Sequence, residues 1–454
     1  MKNLSLTNIA KACKGVLKNC EDIKDKEVTD VVIDSRKVIE GCLFVAIKGN
    51  RVDGHDFIEE VTGKNVLCSI SEKELDINVP YILVASTTDA LMDIAAFYRQ
   101  SLDIKVVGIT GSVGKTSTKE MIAKVLEEKY NVLKTEGNFN NQIGLPLTIF
   151  RLREEHEIAV LEMGISHFGD MEELAAIATP DVCVITNIGY CHLENLIDRN
   201  GVLKAKTAMF KYMEKGGTII LNGDDDKLSG VKDYEGTKPV FFGIDPKNSV
   251  YADNVEPLGM KGTSFTLNDN NSSVDIKLTI PGTHMVSNAL AAAAVGKTFD
   301  MNLQEIKNGI EKLDSVKGRN TIIETDKYTI LDDCYNANPV STKASIDLLT
   351  YADGRKVAIL GDMFELGENE AELHAEVGSY CAEKNIDYLI CIGKLSKNTY
   401  EAALKNGIKK ADYFSEKAEF LEKAEQLLES NDQILIKASH GMNFSEITEK
   451  ISSL

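Results

Sequence analysis

The sequence predicts an α/β protein of more than one domain: a small N-terminal α/β domain, a central parallel sheet bearing a P-loop of ATPase type, and a separate C-terminal Rossmann-like unit, with bounds at 1–85, 86–315 and 316–454. Three observations carry this expectation. The chain has 454 residues, and a single core stops growing at roughly 250–300 residues. Short, nearly continuous apolar runs alternate with helical stretches in two separate blocks, which is the pattern of parallel strands covered on both faces. One of those strands runs through a glycine-rich turn into a helix that starts with Lys and Thr.

The elements follow in order. Residues 31–33 and 43–47 are short apolar runs closed by turn-forming or charged residues, and they read as strands. Residues 89–100 have the amphipathic spacing of a helix leading into the next domain. The first block of alternation has apolar runs at 106–110, 158–161, 182–185 and 218–221, with a helix predicted over 116–130. Residues 232–280 are more polar, with weak alternation at 276–280, and predict an antiparallel extension of the sheet. The alternation resumes with strands at 328–331, 357–360, 388–392 and 434–436 and helices over 368–384 and 415–430. The stretch 314–319 reads as the joint between the blocks.

Composition narrows the function. The formal charge is −19, from 51 basic and 70 acidic side chains, which disfavours nucleic acid and anionic membrane as partners. Nine cysteines with no Cys-x-x-Cys pair argue against a disulfide framework or a zinc site and for a reducing compartment. No apolar run is long enough for a signal peptide or a membrane span. A cytoplasmic protein with no membrane insertion is expected.

The sharpest chemical motif is Gly111-Ser112-Val113-Gly114-Lys115-Thr116-Ser117. Its position between strand and helix is what a phosphate-binding loop requires. Glycines let backbone N–H groups converge on phosphate oxygens, and the helix N-terminus adds positive potential. Lys115 would reach the terminal phosphates of ATP and the Thr116 hydroxyl would ligate Mg²⁺. Ile109 stands where the longer form of this loop has glycine, so the motif is the short Gly-x-x-Gly-Lys-Thr version. Glu162 closes the next strand, where a metal on the phosphates could meet it, although a strand-end Glu is also commonly a solvated or capping residue. Asn187 and His192 follow a third strand end. Alone, such a His is more often structural; beside two other strand-end candidates it points to the ligand face.

These residues resemble the Mur ligases of peptidoglycan synthesis, over essentially the whole chain. The segments that carry the resemblance are Asp34-Ser35-Arg36, 43–49 and 53–57 in the first domain; 111–116, 138–146, 162–164, 186–189 and 192–194 in the centre; Asn288-Ala289 and Gly318-Arg319 near the joint; and 332–339 with 361–367 in the last domain. Departures are Ala438 in Lys437-Ala438-Ser439, where glycine is common, Cys191 before His192, and Ala208 after Lys206.

The resemblance implies an ATP-dependent ligase that joins D-alanyl-D-alanine to UDP-N-acetylmuramoyl-tripeptide through an acyl-phosphate. It implies a UDP-binding first domain and a monomer. The ATP-binding set would be Gly111, Ser112, Val113, Gly114, Lys115, Thr116, Ser117, Asn288, Arg319, Asp333 and Asn336. Metal ligands would be Thr116, Glu162, His192 and a carbamylated Lys206. Catalysis would rest on Lys115, Lys206, His192 and Arg319, and substrate contacts on Ser35, Arg36, Lys48, Asn140, Asn141 and Tyr335. Singly, Asn288 is equally a helix-buried amide, Arg319 and Lys206 surface cations, and Asp333 and Asn336 turn residues. Other readings stay open: another amide ligase of the family, although the Asp-Asn-Pro-Arg motif of its lysine- and diaminopimelate-adding members is not present; a nucleotide-hydrolysing switch; or a UDP-sugar-binding protein without catalysis.

Overall fold

The computed structural model describes residues 1–49, 51–314 and 318–454. It holds three sheets. The first has five strands in the order Val16–Lys18, Tyr81–Leu83, Cys68–Ser71, Leu43–Val45 and Val31–Val32. The last four are parallel, and Val16–Lys18 joins the edge antiparallel. The second sheet has nine strands, ordered Ser273–Leu278, Thr263–Asn268, Val250–Pro257, Val240–Gly243, Thr218–Asn222, Val182–Ile185, Lys105–Thr110, Ile158–Glu162 and Val132–Lys134. The third has six: Thr321–Glu324, Tyr328–Asp332, Asp432–Lys437, Lys356–Gly361, Tyr388–Ile392 and Ala411–Phe414, parallel except for the first. The α/β class with several parallel sheets is as expected. Part of the predicted joint, residues 315–317, lies outside the described residues.

The chain forms two compact units: residues 1–110, 129–184 and 205–219 in one, and 111–128, 185–204 and 220–454 in the other.

The third sheet shows why its strands read as apolar runs. Ile434 and Ile436 face one side with Ile330, Val357, Ile359 and Ile390, against Phe420 and Phe444. Leu435 faces the other side with Leu331, Ala358, Leu360 and Leu389, against Ile346, Val377 and Cys381. Both faces are buried, so the period of two is masked by apolar residues at every position.

Some sequence expectations change in detail. The helix predicted over 89–100 is Thr87–Gln100, because Ser86 caps it by accepting from the Asp89 N–H. The extension at 232–280 is antiparallel only at its far end. Val240–Gly243 and Val250–Pro257 pair parallel, and the chain then turns back twice to form antiparallel pairs. The second of those strands, Ser273–Leu278, is exposed on alternate residues, which is the weak alternation seen in the sequence.

Candidate functional site

The phosphate loop sits between the strand Lys105–Thr110 and the helix Lys115–Leu126. Gly114 is the helix N-cap at φ +79°, a left-handed conformation that other residues adopt at a cost. No side chain caps this end, so the first N–H groups are open to an anion. At Gly111 a Cβ would lie 1.9 Å from Thr186 Oγ1, so glycine is required there.

The loop is held from behind by the segment after the strand Val182–Ile185. Asn187 accepts from the Val113 N–H (2.9 Å) and donates to the Val113 carbonyl (2.9 Å). The Thr186 hydroxyl donates to the same carbonyl (2.7 Å), and the Ser112 N–H donates to the Asn187 carbonyl (3.1 Å). Ser112 Oγ accepts from the Gly189 N–H at 2.8 Å. Val113 is thus fixed at both ends of its peptide. Lys115 Nζ donates to the Gly111 carbonyl at 2.9 Å, which keeps the ammonium folded over the loop. Ser117 lies on the first turn of the helix.

Arg319 reaches this loop. Its Nη2 donates to Thr116 Oγ1 at 3.3 Å, and its guanidinium stacks on the Tyr335 ring at 4.1 Å from the centroid. Its Nε is buried without a hydrogen-bond partner, so a donor remains available to an anion. Asn288 is buried and faces the helix: its Oδ1 accepts from Thr118 Oγ1 at 3.0 Å and lies 3.3 Å from where a Gly114 Cβ would stand.

Asp333 is buried and paired with Lys437, with Ser345 Oγ donating to its Oδ2 at 2.6 Å and the Asn320 N–H to its Oδ1 at 3.3 Å. Burial pulls the Lys437 pKa down, and the Asp333 charge opposes that shift. Lys437 also donates to the Asn336 carbonyl at 3.0 Å, so it ties Asp333 and Asn336 into one loop. The sequence had singled out Lys437 only as part of a motif, with no role.

His192 lies in a left-handed turn (φ +51°) at the start of the helix Leu193–Leu196. Its Nδ1 is 2.8 Å from Glu365 Oε2. The hydrogen bond to His192 holds the Glu365 carboxyl below the usual carboxylate range. Glu365 belongs to a motif noted in the sequence, but nothing in one dimension pairs it with His192.

In the other unit, Glu162 pairs with Ile109 across parallel strands, two residues before the loop begins. It is buried, and its Oε1 accepts from Asn140 Nδ2 at 2.8 Å. Its Oε2 is buried with no hydrogen-bond partner. An unpaired buried carboxylate oxygen is costly, and a cation would satisfy it, so the residue fits a hard metal ion. Asn141 lies just before the helix Gly144–Ile149, and its Oδ1 accepts from the Gly144 N–H at 2.9 Å. Lys206 is almost wholly buried, at 1% exposure, unlike the surface lysine its sequence position would allow. Among the described residues no three His, Cys, Asp or Glu side chains group as a metal site by themselves.

Ser35, Arg36 and Lys48 follow the ends of the parallel strands Val31–Val32 and Leu43–Val45, the edge where ligands bind in such sheets. Asp34 caps the turn and binds Arg36 through Nε (2.9 Å) and Nη2 (2.7 Å). Those bonds depress the Asp34 pKa to about 2. Nearby, His55 resembles a catalytic histidine, since Asp53 Oδ1 lies 2.6 Å from its Nδ1. Its Nε2, however, accepts from the Glu72 N–H at 3.0 Å, so both ring nitrogens are engaged within the fold.

The chain matches the Mur ligase family, catalytic domain over residues 27–99, the Mur ligase middle domain over 109–296, and the Mur ligase, glutamate ligase domain over 318–440. It is 37% identical to a UDP-N-acetylmuramoyl-tripeptide–D-alanyl-D-alanine ligase of Bacillus subtilis, over 98% of each chain. The crystal structure of MurF from Acinetobacter baumannii superposes with a TM-score of 0.91 at 30% identity, covering 99% of both chains. The MurF ligase of Thermotoga maritima in complex with ADP gives 0.83 at 30% identity, over 93% of this chain and 97% of that one.

Proposed function

The chain belongs to the Mur ligase family, and from that premise we propose that it joins D-alanyl-D-alanine to UDP-N-acetylmuramoyl-tripeptide, converting ATP to ADP and phosphate. The observation that carries the reading is the phosphate loop itself: an uncapped helix N-terminus, Lys115 folded over it, and Arg319 reaching Thr116 with one guanidinium nitrogen unspent. Full-length relatives that bear this activity in their names support the choice of substrates.

The chemistry follows from the electrophile. A carboxylate repels an attacking amine, so its oxygen first attacks the γ-phosphorus of ATP, releasing ADP and leaving a mixed anhydride. The dipeptide amine then attacks the acyl carbon, the amine loses a proton, and phosphate departs. Positioning and charge neutralisation do most of this work. Lys115 and Arg319 bring positive charge to the transferring phosphoryl group, and the loop N–H groups fix the remaining phosphates. Tyr335 holds the Arg319 plane, and Asp333 and Asn336, tied by Lys437, line the nucleotide. Ser35, Arg36 and Lys48 hold the UDP group, with Asn140 and Asn141 toward the peptide end.

Mg²⁺ belongs to this reading as two ions, Glu162 as ligand to the first and His192 to the second, with Thr116 and a carbamylated Lys206 as further ligands. Bound there, they would neutralise charge on the phosphates. A carbamate would turn a repelling ammonium into oxygen donors. The domain bounds at 85 and 315, a monomeric state and a cytoplasmic setting complete the proposal. Among the described residues no helix is long and apolar enough to cross a membrane.

The test is phosphate release from Mg-ATP with each substrate alone and with both, recording product mass. Release that needs both, with a mass gain of one dipeptide, is expected. Release with neither would replace this reading with a nucleotide-hydrolysing switch.

A further inference from the structure

We propose that Glu365 is a positioning residue for His192: its carboxylate accepts the Nδ1 proton, so that the imidazole presents Nε2 as the open nitrogen. This rests on the reading above, in which His192 binds the metal that accompanies ATP.

Three observations carry it. The contact is short, with Nδ1 at 2.8 Å from Oε2. Both residues stand in left-handed backbone, His192 at φ +51° and Glu365 at φ +63°. Non-glycine residues take this conformation at a cost, and such cost concentrates where geometry matters. The flanking chain docks as well: a Cβ on Gly367 would lie 3.8 Å from Leu193 Cβ and 3.9 Å from the Glu194 N. The two turns therefore meet as surfaces, and the side-chain pair sits at their junction.

The physical consequence concerns the tautomer. A neutral imidazole carries one proton, and whichever nitrogen donates leaves the other as acceptor or ligand. A carboxylate on Nδ1 fixes the proton there and orients the ring. Glu365 thus acts from the C-terminal sheet on a residue of the central one, without touching the reacting atoms.

The first readout needs neither activity nor metal. Long-range ¹H–¹⁵N NMR of the metal-free protein at pH about 8.5, where an ordinary imidazole is neutral, reports the His192 tautomer, with His192→Gln identifying its signals. The Nδ1–H form is expected in the parent protein, and a mixture of tautomers in Glu365→Ala. The second readout is the Mg²⁺ concentration that half-saturates ATP consumption. It should rise about 10-fold or more in Glu365→Ala, with the KM for the UDP substrate unchanged. Glu365→Gln, which keeps an acceptor oxygen, should recover part of the shift. An Nε2–H tautomer in the parent protein, or a Glu365→Ala variant with unaltered Mg²⁺ dependence, overturns the proposal. If the parent protein performs no ligation at all, the functional reading fails, and the tautomer experiment still decides whether Glu365 sets the ring.

Discussion

The nucleotide loop and the candidate UDP edge use opposite construction. Around the loop, function and folding share the same atoms: Gly111 has no room for a side chain, Val113 is gripped by Asn187, and Asp333 is a buried partner of Lys437. At the first sheet's edge, Arg36 is held by one neighbour two residues away, and 86% of its side chain is exposed. At a site built into the core, most residues cannot be altered without altering stability. A site laid on an edge can lose affinity and leave the fold untouched.

Substitutions sharpen or break this contrast. The largest stability effect is expected at Lys437. Lys437→Met strands the Asp333 charge in the interior and should cost about 3–5 kcal/mol. Urea denaturation measures it, and the double variant with Asp333→Leu should regain part of the loss. Lys115→Ala should lower kcat by about 10²–10³-fold while the melting temperature barely moves, because its side chain bonds to a carbonyl on a half-buried loop. Gly111→Ala should destabilise by about 1–3 kcal/mol from backbone strain alone, plus the collision with Thr186, and should weaken ATP binding in parallel; calorimetry of both reads the coupling. Arg36→Ala should raise the KM for the UDP substrate about 10-fold, equal to about 1.4 kcal/mol, with only a slight change in urea midpoint. A comparable loss of stability there would break the contrast.

The smallest effect is a pH dependence. The folded Asp34 pKa of about 2 lies below its ordinary value of about 3.9. Its contribution is therefore present above pH 4 and disappears as pH falls through about 2. Exposure of the pair makes it small. Urea midpoints of the parent protein and Asp34→Asn should differ slightly at pH 6 and converge toward pH 2.

The same contrast explains what could be read in one dimension. Strands buried on both faces leave continuous apolar runs, so the parallel sheets were legible. Gly111 and Gly114 were legible because close approach and positive φ demand glycine at fixed spacing from Lys115. Pairings across the chain were not. His192 was visible as a candidate, but Glu365 became its partner only when the two left-handed turns docked. Asn187 was seen as a strand-end residue, while its grip on the Val113 peptide requires the turn to be folded. Asn288 was expected at ATP, and its oxygen is spent on Thr118, behind the loop. Polar residue types alone do not say which way a side chain faces. The parallel pairing of Val240–Gly243 and Val250–Pro257 was missed for a related reason, since a polar stretch with weak alternation does not reveal strand direction.

The central claim is that the tripeptide carboxylate is activated by direct phosphoryl transfer. The most direct measurement uses UDP-N-acetylmuramoyl-tripeptide labelled with ¹⁸O in the reacting carboxylate, with Mg-ATP and D-alanyl-D-alanine, and mass analysis of the released phosphate. An acyl-phosphate requires one carboxylate oxygen to leave with phosphorus, so the account predicts one ¹⁸O in each phosphate formed. Phosphate without label, alongside amide product, would contradict it.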